Sequence, residues 1–82
     1  METNTLIILV WNKSSIRNLS VPQLIEHLHK SQIVETIEII QLIETTDVVQ
    51  IAVVYQSQFH PNFWIESVRI SIGNNLSITQ LT

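Results

Sequence analysis

IVETIEIIQLIETTDVVQIAVVY, residues 33–55, sets two β-branched runs on either side of a short Glu44-Thr45-Thr46-Asp47 break, the pattern of a hairpin of two long strands. Its second strand alternates cleanly, with Val49, Ile51, Val53 and Tyr55 on one face and Val48, Gln50, Ala52, Val54 and Gln56 on the other. Its first does not: Ile33, Ile37, Ile39 and Ile43 share one parity, while Val34, Ile40 and Leu42 hold the other. Both faces of that strand therefore call for burial, which a short chain can hardly supply on both sides of a sheet. A partner surface is implied, with no chemistry attached.

Working outward, residues 6–11 (LIILVW) are apolar at every position, as suits a strand near the centre of a sheet. A polar connection leads to a well-marked helix start. Ser20 stands at the N-cap, Gln23 completes a capping box, Pro22 lies in the first turn, and Leu19 and Leu24 are placed for a hydrophobic staple. Val21, Leu24, Ile25 and Leu28 form one apolar stripe, Glu26 and Lys30 an exposed i, i+4 pair, and the helix is expected to end near Ser31 or Gln32. Beyond the hairpin, Trp64, Val68, Ile70 and Ile72 fall on one parity of a further expected strand, interrupted by Glu66. Gly73, Asn74 and Asn75 then read as a tight turn into a short edge strand, residues 76–81. The expected fold is α+β: one domain over residues 1–82, a single mainly antiparallel sheet of four to five strands with one helix on one face, in the order β-α-β-β-β-β.

Composition narrows the function classes. At 82 residues a single core supplies a margin of only roughly 3–5 kcal/mol, which self-association would enlarge. Charged residues make up 13% of the chain, against about 25% in a typical globular protein, so the surface is unusually neutral and resists association little. The net charge is −3, and four scattered basic residues do not make the clustered surface that phosphate backbones require, so nucleic-acid binding is not expected. There is no cysteine, hence no disulfide framework and no thiolate metal site. The opening METNTLIILVWNK has no basic leader, and its apolar run is too short to span a membrane; a cytoplasmic protein is expected. Asn12, Asn18 and Asn75 each begin an Asn-x-Ser triplet, which chance explains in a chain so rich in Asn and Ser.

Catalytic and metal chemistry find little support in the sequence. His27 and His29 are two residues apart, roughly 200° around a helix, so they cannot chelate one ion together. His60 is distant in sequence. No nucleophile elbow surrounds any serine, and the lone glycine excludes a glycine-rich phosphate loop. Glu38 and Glu44 are about 20 Å apart along a strand, too far for a carboxylate pair. No catalytic residue, metal or cofactor is therefore assigned. The loop QFHPNFW, residues 58–64, concentrates Phe59, Phe63 and Trp64 around His60 and Pro61, the residue types that anchor protein contacts.

These features are expected to make a non-enzymatic interaction protein: an adaptor, regulator or inhibitor, working as a homodimer with a protein partner. Phe59, His60 and Phe63 in the aromatic loop and Glu44 and Asp47 on the acidic hairpin are the expected partner contacts. Ile37, Ile40, Leu42, Val49 and Ile51 are the expected dimer surface. The alternative is a small ligand-binding or catalytic dimer with a pocket between helix and sheet, using Tyr55 or His60 as its polar handle.

Overall fold

A computed structural model describes residues 3–16, 18–30, 36–73 and 75–81. In chain order the main elements are β1 (Thr3–Asn12), α1 (Val21–Lys30), β2 (Thr36–Glu44), β3 (Val48–Ser57), α2 (Asn62–Ile72) and β4 (Leu76–Leu81), with a single 3₁₀ turn, Lys13–Ser15, after β1. The sheet order is β2-β3-β1-β4 and every neighbouring pair is antiparallel. Each half of the chain is a β-α-β unit whose two strands are separated by a strand of the other half, the split arrangement called ferredoxin-like. The expected strand start at Ile33 and helix end near Ser31 or Gln32 lie outside the described residues.

The expected order β-α-β-β-β-β is corrected in one element: residues 62–72 form α2, so the described residues run β-α-β-β-α-β, with four strands and two helices among them. Trp64, Val68 and Ile72 are four residues apart, a spacing that satisfies both a strand's period of two and a helix's period of 3.6. What separates the two readings is Ile65, buried beside Trp64, and Ile70, which a strand would bury and the helix leaves 85% exposed. Pro61 stands just before the helix and Gly73 ends it at φ +127°, its N–H donating to the Arg69 carbonyl at 2.8 Å. Gly73 is thus a helix stop, not a hairpin turn.

α1 begins as its sequence dictates. The Ser20 N–H donates to Gln23 Oε1 at 2.8 Å and the Gln23 N–H to Ser20 Oγ at 3.4 Å, closing the capping box from both sides. Leu24 and Leu28 are fully buried. α2 packs beside α1, where Trp64 Nε1 donates to the Leu28 carbonyl at 3.4 Å and the ring lies 6.1 Å from Tyr55. Both helices cover the same sheet face, that of Ile7, Leu9 and Trp11 on β1 and Val49, Ile51, Val53 and Tyr55 on β3.

The mixed parity of β2 has a local cause. Ile39 pairs with Val53 and Gln41 with Ala52, so Ile40 is one residue too many, a β-bulge that reverses the facing of everything after it. Ile37 and Ile39 before the bulge and Leu42 after it all pair with helix-side residues of β3. Two parities in the sequence therefore serve one face in the fold.

Candidate functional site

Among the described residues, no helix lies on the opposite sheet face. By register it presents Leu6, Ile8 and Val10 of β1 and Val48, Ala52 and Val54 of β3 along its two central strands. Ala52 is buried by its neighbours, and the other five are half-buried in the isolated chain. Ile43 on one flank and Leu81 on the other extend the apolar area toward both edges, at 41% and 47% exposure. The remaining side chains of this face are amides and hydroxyls such as Gln50, Gln56, Ser77 and Thr79, with Glu38 on β2 as the charged member among the described residues. A uniformly apolar β1 gives rise to this surface: its odd positions fill the core, and its even positions have nowhere to go but outward.

The expected dimer residues divide. Ile37, Val49 and Ile51 lie in the chain's own core beneath the helices, whereas Ile40 and Leu42 are exposed along the β2 edge. Glu44 is at the end of β2, where Lys13 Nζ reaches its Oε2 at 2.7 Å. Asp47 is exposed in the hairpin turn, its carbonyl accepting the Lys13 N–H at 2.8 Å. The acidic hairpin is thus tied to the segment after β1 and partly neutralised by it.

The aromatic segment sits between β3 and α2, away from the helix-free face. Phe59 and Phe63 meet edge to face with ring centroids 6.4 Å apart, and Phe63 is 71% exposed. Ile70, two turns further along α2, continues their stripe. Trp64 and Trp11 are core residues, and Trp11 Nε1 is buried without a hydrogen-bond partner among the described residues. His60 is exposed, with Nδ1 accepting the Asn62 N–H at 3.2 Å, and lines an open depression of about 540 Å³ with Phe59, Pro61 and Gln80. Tyr55 is not in that depression: it is fully buried, and its hydroxyl donates to the Phe59 carbonyl at 3.1 Å. Of the alternative's two candidate handles, Tyr55 is thus a core residue and His60 opens on the depression. A second open depression, near 530 Å³, lies between the start of α1 and the Lys13–Glu44 pair.

Among the described residues no cluster of three His, Asp or Glu side chains is placed to hold a metal ion, and no helix is long and apolar enough to cross a membrane. The Glu26 carboxyl is held below its usual range by a hydrogen bond from Lys30 and by the charge of that lysine. It is a helix-surface pair on solvent.

The even-numbered β1 residues and Val54 were not singled out from the sequence as interface candidates. Their signal was present in the unbroken apolar run at residues 6–11, which implies a second surface as soon as the first is covered. Ile70 was missed because a strand reading turned it inward.

No protein family matches the chain, and no curated protein matches it. It is similar in structure to a de novo designed protein, Foldit4, with a TM-score of 0.55 over 100% of this chain and 98% of that one, at 11% sequence identity. At that identity the likeness concerns the fold alone.

Proposed function

We propose that the chain is a non-enzymatic protein-interaction module, an adaptor, regulator or inhibitor, whose docking surface is the helix-free face of its sheet. The observation that carries this reading is the placement of Leu6, Ile8, Val10, Val48 and Val54 on one continuous face that neither helix covers. Apolar area of this extent, rimmed by polar amides and hydroxyls, is what protein contacts use. The exposed Phe59–Phe63 pair is a second contact, on a different side of the molecule, and the Glu44–Asp47 turn supplies charge selectivity at its own rim. A reducing compartment such as the cytoplasm suits a chain without cysteine.

An apolar fluorescent dye tests the reading at protein concentrations low enough to keep chains apart. The folded protein should enhance the dye, and the double variant Ile8→Thr/Val54→Thr should lose that enhancement while keeping its near-ultraviolet circular dichroism. An unchanged enhancement in the folded double variant would move the sticky surface elsewhere and end the proposal.

A further inference from the structure

Resting on the reading of the helix-free face as a docking surface, we infer that its occupant is a second copy of the same chain, packed sheet to sheet. Three observations bear on this packing, and the first of them favours a copy over another protein. The first is charge. Apart from Glu38, the polar side chains identified on this face are amides and hydroxyls. Each such group is donor and acceptor at once and so complements itself across a two-fold axis. A partner of opposite charge finds almost nothing there to select it, and a copy meets almost nothing to repel it.

The second is size. Ten-residue central strands are about 33 Å long and four strands about 19 Å wide, so the face offers roughly 600 Å² per copy, the lower end of what a standard interface takes from each partner. Nearly the whole face has to be used. This matches an apolar area that runs from Ile43 to Leu81 across all four strands.

The third is the state of the edges. β4 has only six residues, and β2 is interrupted by the bulge at Ile40, so neither edge offers a long regular ladder to a neighbouring strand. Stacking of faces is the association this sheet leaves open. Two stacked four-stranded sheets would form a sandwich with the helices outside, the central ridge of Ile8, Val10 and Val54 meeting its own image.

Light scattering coupled to size exclusion, over a wide concentration range, tests the inference on the full chain and three variants. The wild type should pass from monomer to dimer. Ile8→Lys should raise the dimer dissociation constant at least about thirtyfold, as loss of a central buried contact does, whereas Phe63→Ser and Ile40→Lys should change it less than about fivefold. If Ile8→Lys loses its near-ultraviolet signal, Val54→Thr replaces it. A dimer that resists the face substitutions and yields to Ile40→Lys or Phe63→Ser overturns the inference, since copies then meet at an edge or through α2. A wild type that stays monomeric at the highest concentrations overturns it too, and the dye separates the two failures. Dye binding that depends on Ile8 and Val54 keeps the docking surface and removes only the second copy; its absence removes both.

Discussion

The two faces of the sheet are built from the same strands and both carry branched apolar side chains, yet they differ in what covers them. On one, Ile7, Leu9, Ile51, Val53 and Tyr55 are sealed beneath α1 and α2. On the other, Ile8, Val10 and Val54, their immediate neighbours in sequence, are left half-buried. Alternation along a strand usually separates apolar from polar; in β1 it separates covered apolar from uncovered apolar. On the function proposed above, the covered face is committed to folding and the uncovered one to association.

The comparison breaks most visibly under truncation. Leu24→Ala on the covered side should cost about 2–5 kcal/mol, enough to consume most of the margin expected of so small a core. Val54→Ala on the uncovered side should cost the monomer about 1 kcal/mol or less, since a half-buried side chain leaves no closed cavity. Urea denaturation of both variants at low protein concentration checks the contrast, and equal losses would erase the distinction between the faces.

Deleting Ile40 sharpens it next. The deletion removes the bulge without turning Leu42 to the other face, and it leaves β2 with an unbroken edge. The chain should remain folded but add species larger than a dimer by light scattering, since strands then have a regular ladder to pair with. A smaller effect is expected at the start of α1. Ser20→Ala opens the capping box and should cost about 1 kcal/mol in thermal or urea unfolding, with no change in association.

The smallest effect is electrostatic. Glu26 is pulled below its usual range by Lys30, so it titrates lower in the folded chain than in the unfolded one. Whatever stability the pair adds is present above the ordinary carboxylate range and fades as pH falls through the lowered folded value. NMR titration should find Glu26 below a typical glutamate and restored by Lys30→Ala, with little change in the unfolding midpoint, as fits an exposed pair.

Much of this fold was legible in the sequence, and what was not has identifiable causes. β1, the β2–β3 hairpin, the capped start of α1 and the last edge strand each carry a local pattern strong enough to survive folding. α2 does not, because a four-residue spacing of Trp64, Val68 and Ile72 fits two periods, and β-branched residues tilt the balance toward a strand. The second helix then changes the functional reading. With one helix, even the face it packs on is covered only in part; with two on the same side, the surplus apolar surface collects on the other. The bulge at Ile40 was equally hidden, since one inserted residue makes a one-faced strand look two-faced. That is why Ile37 and Leu42, which share one face in the fold, read from the sequence as belonging to two.

The most direct measurement is an isotope-filtered NOE experiment on a mixture of labelled and unlabelled chains at a concentration that favours association. Contacts between copies should arise from the methyl groups of Leu6, Ile8, Val10 and Val54, with none from Ile70. Intermolecular signals confined to Ile70 and the Phe63 ring would place the meeting surface on α2 and contradict the account.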